Sequence, residues 1–128
     1  MKLLLDTHIF IWWDSEPAKL SRAVLDLCAD PAHELIVSVA SLWEMQIKRH
    51  LGKLDLRLPL AEIVVHQQET NGITILPVAQ AHVLALEQLP NHHRDPFDRI
   101  LVAQALVEGA ALVSADPILK SYPVEVRA

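Results

Sequence analysis

Four short apolar runs, set apart by stretches with helical patterning, decide what kind of sheet this chain can build. They are residues 2–5 (KLLL), 34–38 (ELIVS), 73–76 (ITIL) and 111–114 (ALVS). Each is apolar along most of its length rather than at every second residue. Such a strand has no face to give to water, so it must be covered on both sides, the signature of a parallel sheet. The intervening segments supply the cover. They predict an apolar helix from Thr7 to about Asp14, a helix over 19–29 with Ser21 as its cap, and one over 39–51 stopped by Gly52. Further helices are predicted over 60–70 after Pro59, over 79–89, and over 96–109 up to Gly109. A short helix at 117–121 and a terminal strand near 124–126 close the chain, and residues 90–95 read as a polar loop. The fold class is therefore α/β: one domain over 1–128, with a central parallel sheet of four to five strands and helices on both faces. Right-handed crossovers are expected.

Composition narrows the function classes. A 52% hydrophobic chain of 128 residues is rich enough in apolar side chains to exclude disorder. The single cysteine, Cys28, has no internal partner, so a reducing cytoplasm is the expected location and core filling its expected role. Asp6 and His8 interrupt the N-terminal apolar run, which argues against a signal peptide. No run approaches the roughly 20 residues of a membrane span. The net charge of −5 is the wrong sign for holding nucleic acid by charge attraction alone.

Most of that charge belongs to four acids placed where strand gives way to helix: Asp6, Glu44, Asp98 and Asp116. Asp6 follows the first strand and Asp116 the fourth; Glu44 and Asp98 lie near helix starts. In an open parallel sheet all four positions face the carboxyl edge, where ligands gather. Taken singly, each has a structural explanation. Asp6 can cap the helix behind it, Asp116-Pro117 and Asp95-Pro96 are helix starts, and Ser41-Leu42-Trp43-Glu44 fits a capping box with Glu44 also in reach of Lys48. Capping, however, is satisfied equally well by serine or threonine. Four carboxylates converging on one edge require a cation, and hard oxygens suit Mg²⁺ or Mn²⁺. Without a metal they are expected to raise one another's pKa and titrate as a coupled set.

Leu3-Leu4-Leu5-Asp6-Thr7-His8, Ser41-Leu42-Trp43-Glu44, the run from His93 to Ala105 (HRDPFDRILVAQA) and Leu112-Val113-Ser114-Ala115-Asp116 together resemble the PIN domain. More narrowly, they are similar to VapC-type toxins of bacterial toxin–antitoxin pairs. The resemblance implies a Mg²⁺- or Mn²⁺-dependent endoribonuclease that forms a homodimer and is silenced by a cognate antitoxin. It places the catalytic acids on Asp6, Glu44, Asp98 and Asp116, with Asp6, Asp98 and Asp116 as metal ligands. Where the family usually has Thr-x-Asp, this chain has Ser114-Ala115-Asp116, which keeps the hydroxyl. Thr7, Asp95, Arg99 and Ser114 are expected to support the site: Thr7 and Ser114 by orienting a ligand or water, Asp95 by capping, Arg99 by orienting Asp98.

For the RNA substrate, Lys48, Arg49, His50, Lys53 and Arg57 form one basic stretch and His92, His93 and Arg94 another. Of these, Lys48, Arg49, Lys53 and Arg94 are the expected phosphate contacts. Trp43 is expected in the core by default, or bordering the site beside Glu44. Trp12 and Trp13, neighbours on a helix, are not expected to share one core face, so one of them should reach a groove for an antitoxin segment. A phospho-acceptor receiver domain would need adjacent acids after the first strand, where Thr7 stands, and an aspartate after the third, where Pro77 stands. A haloacid-dehalogenase-type phosphatase would need Asp-x-Asp in place of Asp6-Thr7-His8. A catalytically silent binding module keeps the fold but leaves the four acids unexplained. No residue visibly senses a 2′-hydroxyl, so RNA is preferred over DNA on the resemblance alone.

Overall fold

The computed structural model describes residues 1–91 and 95–128. Five strands form one sheet: β1 (Lys2–Leu5), β2 (Glu34–Ser38), β3 (Thr74–Leu76), β4 (Ala111–Val113) and β5 (Val126–Arg127). Their order is β3-β2-β1-β4-β5, and every pairing is parallel. The all-apolar central strands explain the arrangement: Leu3, Leu4 and Leu5 are all buried, as are Leu35, Ile36 and Val37.

Successive strand residues point to opposite faces, and the core divides accordingly. Leu3, Leu5, Leu35, Val37, Ala111 and Val113 meet one layer of helices: α1 (Thr7–Ser15), α2 (Arg22–Ala29), α3 (Val39–His50) and α4 (Leu60–Asn71). Phe10, Met45 and Ile63 are the large side chains that fill this layer. Leu4, Ile36 and Leu112 meet the opposite layer, made chiefly by α6 (Pro96–Glu108) through Leu101, Val102 and Ala105. The short α5 (Gln80–Ala85) packs on α6. Between α3 and α4 the chain alternates, with Leu54, Leu56 and Leu58 turned against the first core and Lys53, Asp55 and Arg57 outward.

The breaks fall where the local chemistry puts them. α4 and α6 both end on glycines, Gly72 and Gly109, at φ +65, a left-handed conformation that a β-carbon penalises. Residues 117–121, expected as a short helix, wind as a 3-10 turn, and the predicted 79–89 helix is α only to Ala85 and 3-10 from Leu86 to Gln88. The five residues from Pro117 to Ser121 are too few to establish an α-helix, so the tighter turn prevails. Among the described residues no helix is long and apolar enough to cross a membrane.

Candidate active site

The chain runs outward from β1 to β2 and β3, then returns to place β4 on the other flank of β1. The connections beyond β1 and β4 therefore diverge, opening a crevice at their carboxyl ends. Asp6 is the first residue after β1, and its N–H still donates to Val113 O of β4 at 3.0 Å. Asp6 is 5% exposed. Its Oδ1 caps α1 by accepting from the Ile9 N–H at 2.8 Å. Asp116 follows β4 by three residues and caps the next turn through the Ile118 N–H, 3.0 Å. Ser114 links the two acids: its Oγ accepts from the Asp116 N–H at 3.1 Å, and its hydroxyl hydrogen-bonds the Asp6 carboxylate.

Glu44 reaches the same edge from α3. It is buried, and its charge is felt at Asp6. Lys48, one turn on, sets its Nζ 2.8 Å from Glu44 Oε2, the i,i+4 pair foreseen from the sequence. The start of α3 is tied to the start of α1 by a buried hydrogen bond, Thr7 Oγ1 to Ser41 Oγ, 3.0 Å. This bond holds the segments carrying Asp6 and Glu44 at a fixed separation. It also overturns the capping box: Ser38 caps α3 through the Ala40 N–H at 3.0 Å, and Ser41 lies inside the helix.

Asp98 stands in the first turn of α6, whose cap is Asp95; Asp95 Oδ1 accepts from the Phe97 and Asp98 N–H groups at 2.8 and 3.3 Å. The start of α6 meets α3 through Phe97, whose ring sits edge-on to Trp43 at 5.3 Å and 76°. Asp98 and Glu44 are thus the chain neighbours of two touching aromatics. Arg99, expected to orient Asp98, turns elsewhere: its Nη1 donates to Pro90 O at 2.9 Å and to the Tyr122 hydroxyl at 3.3 Å.

At Asp6, burial acts more than repulsion from a neighbouring acid does. The Asp6 carboxyl is pushed above its ordinary value mainly by desolvation; hydrogen bonds from Ser114 and Ile9 and the nearby His8 pull it down, and the Glu44 charge adds the smallest upward push. The coupling expected from four clustered acids is, at Asp6, secondary to desolvation.

The basic stretch divides. Lys48 is committed to Glu44. Arg49 and Lys53 are exposed, Arg49 lining a shallow recess with Gln46 and His50. Arg57 grips Asp14 with two bonds of 2.9 and 2.8 Å, so it locks the α3–α4 loop onto α1 rather than facing substrate. His92, His93 and Arg94 lie outside the described residues.

Beside the acids lies an apolar cleft of about 640 Å³ between α3, α5 and α6, lined by Val39, Trp43, Val78, Val83, Phe97 and Ile100 among others. Trp43 is 64% exposed, not a core residue. Trp12 and Trp13 are both half-buried against the same core, contrary to expectation. The cleft was not found from sequence: its lining residues have the composition of a core.

A PIN domain family model matches residues 3–125, nearly the whole chain, including Asp6, Glu44, Asp98 and Asp116. The chain belongs to the PIN domain family. It is 33% identical over 124 residues to Ribonuclease VapC22 of Mycobacterium tuberculosis (strain ATCC 25618 / H37Rv), covering 94% of this chain and 91% of that one. Its fold matches a chain of VapBC2 from Rickettsia felis, solved bound to a promoter DNA fragment, at a TM-score of 0.73 with 14% identity, covering 99% and 98% of the two chains. FitAcB from Neisseria gonorrhoeae follows at a TM-score of 0.66 with 18% identity, covering 98% and 96%.

The donors at this PIN-domain edge are hard carboxylate oxygens, with one of them, Asp6, buried and penalised for its charge. Among the described residues no three His, Cys, Asp or Glu side chains gather closely enough to hold an ion by themselves. That arrangement still fits Mg²⁺ or Mn²⁺, since magnesium usually takes only one or two protein carboxylates and keeps several waters.

Proposed function

We propose that this chain is a metal-dependent endoribonuclease and the toxin of a toxin–antitoxin pair, restrained by a cognate antitoxin. What supports this reading is that Asp6 and Asp116 follow the neighbouring strands β1 and β4, with the Glu44 charge felt at Asp6, in a PIN-domain chain whose relative is a named ribonuclease. Asp6, Asp98 and Asp116 would hold Mg²⁺ or Mn²⁺ directly or through its waters, with Glu44 completing the site. The chemistry such an ion supplies is a lowered pKa for water and stabilisation of charge on the scissile phosphate. Ser114 fixes the spacing of Asp6 and Asp116, and Thr7 fixes that of Asp6 and Glu44. Glu44 orients the attacking water with the oxygen that Lys48 does not hold. Arg49 and Lys53 receive the RNA backbone, and Arg94 is assigned to the same role on its sequence position.

The homodimer is assigned to the apolar cleft. Its lining carries no charge, so the contact itself would set no like charges against each other. Trp43 protrudes beside a recess, and a two-fold arrangement would seat each indole in the other copy's cleft. A cytoplasmic location is consistent with the unpaired Cys28.

The deciding experiment incubates chelator-stripped protein with a structured RNA pool, with and without Mg²⁺ or Mn²⁺, beside Asp98→Asn. The expected result is cleavage that needs the metal and disappears in the variant. Absence of both cleavage and metal binding would overturn the reading in favour of a catalytically silent binding module.

A further inference from the structure

Lys48 has a setting unlike that of a surface cation. An exposed i,i+4 pair contributes only a few tenths of a kcal/mol. Here the Glu44 side chain is 6% exposed and that of Lys48 33%, with 2.8 Å between Nζ and Oε2. The stem of Lys48 is thus partly covered while its ammonium reaches into the acidic edge. Glu44 in turn presses on Asp6 through its charge.

We propose that Lys48 is a positioning residue, a built-in counter-cation to Glu44, which holds Glu44 back from direct metal ligation and so weakens the edge's affinity for a divalent ion. Two effects act in the same direction. The ammonium cancels one of the negative charges that would attract the ion. It also occupies Oε2, so that Glu44 cannot swing to the metal without breaking a charge-assisted bond. The consequence is an edge that holds its ion loosely, with Glu44 kept beside the ion to handle water. Lys48 is, on this account, unavailable for gripping RNA phosphate, which falls to the other basic residues.

The inference rests on the reading of the edge as a metal site, and the test separates the two. Mn²⁺ binding is measured by titration calorimetry for the wild type, Lys48→Met, Lys48→Arg and Asp6→Asn, with melting in chelator to confirm folding. Methionine keeps the apolar stem and removes the charge. The expected result is about tenfold tighter binding for Lys48→Met, with Lys48→Arg near wild type and Asp6→Asn strongly weakened. A larger Mn²⁺-induced rise in melting temperature should accompany the tighter binding. If Lys48→Met unfolds, Lys48→Gln takes its place. Unchanged or weaker binding in the charge-removed variant, with the wild type binding normally, overturns the role of Lys48 and leaves the metal site standing. A wild type that binds no Mn²⁺ overturns both.

Discussion

The same two helices build two adjoining surfaces of opposite chemistry. α3 presents Trp43 and Glu44 in succession, and α6 presents Phe97 and Asp98. Successive helix residues point about 100° apart, so one member of a pair can enter the apolar cleft while the other serves the acidic edge. The energetics then part ways. A buried carboxylate is stabilised only by a cation or by donors, and Asp6 and Glu44 have recruited Ser114, the Ile9 N–H and Lys48. An exposed indole is stabilised only by being covered, and within one copy Trp43 has Phe97 on one side and solvent over most of the rest. The difference teaches that the two surfaces call for opposite chemistry: on the proposed reading a divalent ion would suit one and an apolar protein face the other.

Exchanging a single carboxylate is the harshest way to separate the two surfaces. Asp98→Asn should lower RNA cleavage by about 10³-fold, the scale of losing one group aimed at developing charge, while oligomer size in sedimentation stays as in the wild type. Loss of assembly in that variant would show that the surfaces are not independent. The converse change is Trp43→Ala. It should weaken self-association by about 2 kcal/mol or more, the range of an interface anchor, and lower the stability of a single copy by only about 1 kcal/mol, the scale of its contact with Phe97. Sedimentation against concentration reads the first and chemical denaturation the second; an unchanged oligomer would place the homodimer on another face.

The acidic edge was legible in the sequence and the cleft was not, for a physical reason. Asp6 and Asp116 are conspicuous because a charge directly after an apolar strand demands an explanation, and the topology that brings β4 beside β1 supplies it. The β-strands were equally plain, since runs such as Leu3-Leu4-Leu5 can only be buried. Val39, Trp43, Phe97 and Ile100, by contrast, have the residue types of a core, and only packing reveals that α5 stops short of closing over them. Ser41 was misread for a related cause. A hydroxyl three residues before a glutamate satisfies a local capping rule, but Ser38 took the cap and left Ser41 to a partner 34 residues away, which no local pattern reveals. The same applies to Arg57 and Arg99, whose partners Asp14 and Tyr122 are remote in sequence.

That Thr7–Ser41 bond is the next place to probe, because it lies beneath the edge without touching the cleft. Thr7→Val preserves shape and deletes the donor, leaving a buried hydroxyl with one bond fewer. The expected cost is about 1–2 kcal/mol of stability, together with slower cleavage as the spacing of Asp6 and Glu44 relaxes, and unaltered self-association. Stability equal to wild type in urea titrations would mean that packing alone holds α1 to α3.

The smallest effect carries the sharpest sign. Burial raises the Asp6 pKa above its ordinary value of 3.8, so the folded chain holds that proton more tightly than the unfolded chain does. Stability from this group is therefore greatest below the unfolded value and falls as pH rises through the interval up to the raised folded value; at neutral pH the buried anion is a net cost. Asp6→Asn removes the charge and keeps an N-cap of nearly equal strength for the Ile9 N–H. In chelator at neutral pH it should melt about 3 °C higher than wild type, the scale of roughly 1 kcal/mol in a domain of this size. The gap should close as the pH is lowered toward the unfolded value. Saturating Mn²⁺ should reverse the order, because the ion stabilises only the chain that still has the carboxylate to hold it. A variant that melts higher under both conditions would show that Asp6 is a buried acid with no cation to meet.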